Sequence, residues 1–328
     1  MHAKGMFGVV GALLLTASAA GAQSTSCPGG APASSAQVTQ DACQQAVDVF
    51  QYMAPLLSTA IAGGNATLGQ GGILGGFGHF SLGVRANVVD GTLPQVDQFN
   101  TRITGAAPAQ TLPTKSNQPL PMPVVDAAIG VWNGLPLGVT NVLGLDLLLN
   151  VSYIPEVNQN SLSVNTPNGS LKFGYGARVG IVKESIVVPG VAVTYLKRDL
   201  PTVTLAGTSN GAAFNVSNAD IGTTAWRVVA SKHFIVFGLA AGIGQDKYST
   251  SASVQGSASG QQSAVISLSQ DMTRTNMFAD LSLNFPILKL VGEVGQVSGG
   301  SVATYNAFAN KDANASRLYG SVGLRFAW

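Results

Sequence analysis

From residue 79 onward the chain alternates apolar and polar side chains in runs long enough to cross a lipid bilayer. "HFSLGVRANV" sets Phe80, Leu82, Val84, Ala86 and Val88 against His79, Ser81, Gly83, Arg85 and Asn87. "LGLDLLLNVSY", "LKFGYGARVGI" and "TNMFADLSLNF" repeat the device. Successive side chains of a strand point to opposite faces, so each run reads as a strand with one apolar face. A tilted strand needs about 9 to 11 residues to span the hydrocarbon layer, and several runs reach that length. Soluble sandwiches alternate as well. Here the polar face carries Arg, Lys and Asp among many glycines, which suits a barrel with a wet interior and lipid outside.

The connections support the same reading. Strands are predicted near 79–89, 125–133, 141–154, 170–182, 187–207, 219–231, 234–248, 262–285, 286–298 and 315–328. Short links at 134–140, 183–186, 232–233 and 285–287 alternate with long polar segments at 90–124, 155–169, 208–218, 249–261 and 299–314. Short periplasmic turns and long extracellular loops alternate in this way in outer-membrane barrels. The expected fold is therefore all-β, a transmembrane antiparallel up-and-down β-barrel of about ten strands, within a range of roughly 8 to 14, over residues 79–328. Only 10% of the residues are charged, against about 25% in an average soluble protein. The net charge of +2 comes with no Lys/Arg run, which argues against a nucleic-acid partner.

Ahead of the barrel, Met1 to Lys4, the apolar "MFGVVGALLLTASAA" and the small residues up to Ala22 read as a cleavable signal peptide over 1–22. Residues 23–40, rich in Ser, Ala, Pro and Gln, read as a flexible leader. In 41–62, Cys43, Val47, Phe50, Ala54, Leu57 and Ile61 fall on one helical face, with Asp41 as N-cap, Pro55 as a kink and Gly63 as the stop. This amphipathic helix and the glycine-rich segment to residue 78 form a candidate plug, placed either inside the barrel or beneath it. Two readings of Cys27 and Cys43 stand side by side: a disulfide closing a short loop, worth about 3 kcal/mol, or two free thiols.

The last eight residues, "SVGLRFAW", resemble the C-terminal assembly signal of bacterial outer-membrane β-barrel proteins, with Ser321, Gly323, Phe326 and Trp328 in the signal positions. Trp in place of the usual terminal Phe is the departure. The resemblance implies an outer-membrane location, recognition by the barrel-assembly machinery and contact with outer-membrane lipid. A helical N-terminus, a glycine-rich entry and a barrel are also similar in architecture to the FadL-like channels for hydrophobic compounds and to uncharacterised outer-membrane families.

Strand parity turns Arg85, Lys172, Arg178, Arg227, Arg274, Lys289 and Arg325 inward, with Asp146, Asp280 and Glu293. A cation facing lipid would cost about 2 to 4 kcal/mol at the midplane, which fixes the side. These groups either give the lumen an anion preference or pair with one another in a plugged barrel. Tyr153 and Tyr195 are expected at the outer lipid interface, and Phe80, Phe285, Phe326 and Trp328 at the inner one. After the signal peptide only His79 and His233 remain, with no sequence neighbour suited as a catalytic partner, and no metal-ligand spacing or cofactor motif occurs. These features point away from an enzyme and toward a passive channel or binding protein for small solutes. The rival reading is a structural or adhesion barrel acting through its extracellular loops.

Overall fold

The computed structural model describes Cys27 and residues 34–159 and 162–328. Ten antiparallel strands close on themselves: β1 (Phe80–Pro94), β2 (Thr114–Trp132), β3 (Gly144–Tyr153), β4 (Leu171–Val182), β5 (Gly190–Asp199), β6 (Ala212–His233), β7 (Phe237–Ala258), β8 (Ile266–Asn284), β9 (Leu288–Val297) and β10 (Arg317–Ala327). Each pairs with its neighbours in sequence, and β10 returns to β1 with Val84 opposite Leu324. The barrel is closed, so within the closed ladder at the short-turn half no strand edge is left to seek a partner. Short turns and the barrel's two chain ends lie at one rim, where Phe80 N donates to Trp328 O (3.0 Å). The long loops lie at the other.

Several strands run further than the sequence suggests. β6 and β7 each contain 22 residues, about twice what crosses a bilayer. The segments expected as loops at 208–218 and 249–261 are mostly the upper halves of these two strands, with the tight turns that lead into β6 and out of β7. Likewise the expected loop 90–124 contains the first half of β2. There Pro119, Pro121 and Pro123 sit opposite Asp90, Val88 and Ala86 of β1, in a stretch that pairs with β1 alone. A missing N–H is tolerated at such an edge. The run expected as one strand over 187–207 is broken between Asp199 and Val203 around Pro201, and the Val203–Ser209 piece continues along β6.

The outward face of β7 changes character partway along. Phe237, Leu239, Ala241 and Ile243 are followed at the same parity by Gln245, Lys247, Ser249, Ser251, Ser253, Gln255 and Ser257. On β6, Trp226, Val228 and Ala230 give way to Thr224 and Asp220 at the matching level. The apolar belt therefore surrounds only the half of the barrel next to the short turns. An outer face of that kind is a lipid-facing one; above it the wall is built for water.

Helix α1 (Ser34–Ala62) lies inside the upper, polar-walled half. Its Val47, Phe50, Ala54 and Ile61 pack with Val216, Ile221 and Val254 of the wall in the main apolar core. Small wall residues make room: a Cβ at Gly256 would lie 2.4 Å from Cys43 N. The helix begins at Ser34, so residues 34–40 are not leader, and Asp41 is an interior helical residue paired with Arg102 (3.5 Å) rather than an N-cap. The helix is amphipathic in sequence, and its polar face is buried as well. Asp41, Gln44, Gln45 and Asp48 are as buried as the apolar face, because loop residues supply their partners. Leu57, expected on the buried face, is only partly buried. Gly63 ends the helix with φ +51°, and its N–H closes onto Thr59 O (3.1 Å). Cys27 and Cys43 are joined by a disulfide, with Cα atoms 6.1 Å apart. The expected signal peptide and most of the expected leader lie outside the described residues.

Candidate functional site: the plugged bore

Below α1 the chain continues through the lipid-level half of the bore, where inward side chains of the wall hold it. The last carbonyls of a helix lack intrahelical partners and carry partial negative charge. Here Asn87 Nδ2 donates to Ala60 O (2.9 Å), Arg198 and Arg227 guanidiniums donate to Ala62 O, and Asn276 Nδ2 donates to Gly63 O (2.9 Å). Arg85 donates to Asn65 O (2.7 Å) and Arg325 to Leu68 O (2.7 Å).

Carboxylates take the N–H groups of the same stretch. Glu293 accepts from Gly64 N (3.0 Å) and Asn65 N (2.6 Å), Asp280 from Gly69 N (2.8 Å) and Asp146 from Leu74 N (3.0 Å). Asn65 Nδ2, which donates to Asp280 (2.7 Å), is the exception to an otherwise main-chain pattern. Many of the charges are also paired across the wall: Arg178 with Asp146 (2.7 Å), Arg85 with Asp126 (2.8 Å) and Arg227 with Asp246 (2.7 Å).

Of the residues that parity turned inward, Arg85, Asp146, Arg178, Arg227, Arg274, Asp280, Glu293 and Arg325 are each 3% exposed or less. This is a packed interior rather than a wet lumen. A void lined in part by Thr67, Leu68, Arg85, Asp126 and Arg325 measures about 10 Å³, room for about one water. Lys172 and Lys289 are half-buried and lie near the two ends of the belt, Lys289 directly opposite Arg325 in the ladder between β9 and β10. Ser321 faces in, donating to Asn87 Oδ1 (2.7 Å), while Phe326 and Trp328 face out, the latter stacked at 6.3 Å on Phe80. Tyr153, Tyr195 and Phe285 are exposed on the outer face. Sequence reasoning missed Asp126, Arg198, Asp246 and Arg317, although the parity that selected the others also selects these.

His233 does have a partner, supplied by a different hairpin. Its Nδ1 lies 2.8 Å from Glu184 Oε2 and its Nε2 lies 3.1 Å from Gly69 O. Burial alone would raise the Glu184 carboxyl, but hydrogen bonds from His233 and Ser231 outweigh it and hold Glu184 below its ordinary range. Ser231 Oγ donates to Glu184 rather than to the imidazole (3.2 Å), so the three do not form a nucleophile and base in contact. They clamp the plug where it leaves the bore.

At the other rim, Asp48 of α1 accepts from Tyr305 N (2.8 Å) and Asn306 N (3.0 Å), and residues Ala307–Phe308 pair with Thr111–Leu112. Two long loops thereby close over the helix. A cavity of about 610 Å³ opens at the hairpin tips, lined by Asp97, Asn210, Ser257, Gln261 and Gln262 among others.

No family model matches the chain, and no curated protein matches it. Among solved structures, the chain is similar to the translocator domain of the autotransporter NalP from Neisseria meningitidis, at 10% identity over 75% of this chain and 88% of that one, with a TM-score of 0.36. It is similar to the Ralstonia pickettii toluene transporter TbuX at 11% identity, over 82% of this chain and 92% of that one, with a TM-score of 0.30. The attachment invasion locus protein Ail of Yersinia pestis matches at 12% identity, over 77% of this chain and 99% of that one, with a TM-score of 0.25. A transporter, an attachment protein and a translocator unit stand side by side here, and the likenesses carry nothing about which role this chain has.

Proposed function

We propose that this chain is an outer-membrane barrel with a closed bore that acts through its projecting, loop-bearing half, as a structural or adhesion protein rather than a passive channel. The observation that carries the reading is the filled bore: at the level of the apolar belt residues 60–74 are bonded to wall groups that are themselves 3% exposed or less. A solute would have to break those contacts to pass. The hairpin β6–β7, extending well past its apolar belt, gives the loop end the reach of a surface module. The apparent signal peptide over 1–22 and the C-terminal Ser321, Gly323, Phe326 and Trp328 support export and assembly into the outer membrane, with the short turns in the periplasm.

Planar-bilayer recording of the full chain tests the reading, and no steady conductance is expected. A stable open channel in the unmodified protein would refute it and restore the solute-passage reading. Replacing the hairpin tips at 208–213 and 257–263 with short turns is expected to abolish surface attachment in whole cells while barrel assembly, read by heat-modified gel mobility, stays intact.

A further inference from the structure

The wall of the lipid-level bore treats the segment it encloses as a polypeptide main chain. Arginines reach the carbonyls of Ala62, Asn65 and Leu68, and carboxylates reach the N–H groups of Gly64, Asn65, Gly69 and Leu74. Those groups recur in any polypeptide, whatever its side chains. Charged partners make such bonds stronger than neutral ones.

What the wall does specify is size. A Cβ at Gly64 would lie 2.4 Å from the Glu293 carboxyl group, and one at Gly71 would lie 2.6 Å from the backbone of Ala230. Apolar anchors are also fixed: Ile73 fills the space left by the absent side chains of Gly144 and Gly180, and Ala66 and Leu74 pack with Ala128, Leu148 and Leu196 of the wall.

We propose that the lipid-level bore is a binding site for a turn-forming, glycine-rich polypeptide segment that follows a helix end, recognised through its main chain, which residues 60–74 occupy in cis and which a segment supplied in trans can occupy instead. The proposal goes beyond the surface role and does not depend on it. Its ligand class follows from the wall: guanidinium and carboxylate groups for carbonyl and amide groups, glycine where the wall approaches, and a few small or aliphatic side chains seated on wall glycines and on Ala128, Leu148 and Leu196.

The test starts from the full protein. A protease site is placed at Phe77, which is 93% exposed and next to the unobstructed Gly78. The folded protein is cut there, unfolded, and refolded with an excess of labelled synthetic segments spanning 34–77. One segment is native. A second carries Thr67→Ala, Leu68→Ala and Gln70→Ala. A third has ester linkages that delete the N–H groups at positions 65, 69 and 74. The native and alanine segments are expected to enter the refolded barrel within about threefold of each other, and the ester segment at least tenfold less. Equal uptake of the ester segment, or loss of uptake on the alanine changes, would overturn recognition through the main chain. Failure of the native segment to rejoin the barrel would overturn binding in trans.

Discussion

Arg178 and Asp146 show what a single pair contributes. Both side chains are fully buried, Nε and Nη2 of Arg178 both reach Asp146 Oδ2 (2.9 and 2.7 Å), and the same carboxylate holds Leu74 N. Removing one partner of such a pair leaves an uncompensated buried charge, which costs about 3 to 5 kcal/mol. Asp146→Ala is therefore expected to lower the urea midpoint of the barrel strongly. Arg178→Lys should also destabilise it, because an ammonium cannot reproduce the two-pronged contact; urea titration followed by gel mobility reads both. Asp48 sets a pH dependence in the upper half, outside the belt. Burial pushes its carboxyl from the ordinary 3.8 to about 6, against the lowering effect of the Asn306 and Tyr305 amides. A raised value means that the folded state binds the proton more tightly, so the contribution to stability grows as pH falls through about 6 and is complete below about 3.8. The protection factor of the amides over 302–308, that is, exchange corrected for its intrinsic pH dependence, is expected to rise from pH 7 to pH 5, and Asp48→Asn is expected to flatten that rise. Parity alone placed Asp146 and Arg178 in the interior. The partner of His233 was illegible, because Glu184 meets it only once two hairpins are side by side.

At the scale of elements, legibility follows the solvent. Where lipid lies outside, strands must contrast strongly, and Leu281, Leu283 and their polar neighbours Asp280 and Ser282 announce β8 in the sequence. Where water lies outside and a helix fills the bore, the contrast fades. In "YSTSASVQGSA" of β7 the inward positions are Tyr248, Thr250, Ala252, Val254, Gly256 and Ala258, small for the most part because α1 takes the space, while the outward ones are mainly serines. Alternating alanine and serine reads as a loop. The helix itself was legible from its apolar spacing, but its start was not, because the buried turn from Ser34 owes its place to the wall and not to its composition. Gly256→Ala is expected to destabilise this half by about 1 to 3 kcal/mol, the usual cost of overpacking, since its Cβ would meet the helix backbone at 2.4 Å. The Cys27–Cys43 bridge closes a loop with a separation of 16 residues and is worth about 3 kcal/mol. Replacing both with Ser is expected to raise hydrogen exchange in 34–42 first, leaving residues 63–74, which the lower wall holds independently, protected.

Taken whole, the barrel is two environments stacked on one set of strands. Beside the short turns it is apolar outside and charged within; beyond Ile243 of β7 it is polar outside, and apolar within around α1. The interior contents match each half: a helix with a large apolar surface sits where the outside is water, and a glycine-rich segment held mostly by its main chain sits where the outside is lipid. The path of the chain then fixes an orientation. Thr39 Oγ1 reaches Ala258 O near the hairpin tip (3.4 Å), Ala62 lies at the level of Arg227, and His79 follows at the short-turn rim. The segment before β1 therefore descends the full bore, so that Ser34 and His79 lie at opposite ends of the barrel. With the short turns in the periplasm, the start of α1 faces the outside of the cell. A protease site inserted just before Ser34 is expected to be cut by protease added to intact cells, with the released piece visible only on reducing gels because the disulfide retains it. The same site at Phe77 is expected to resist until the outer membrane is opened. The reverse pattern would place the long loops in the periplasm and would remove the basis for a surface role, while leaving the fold as described.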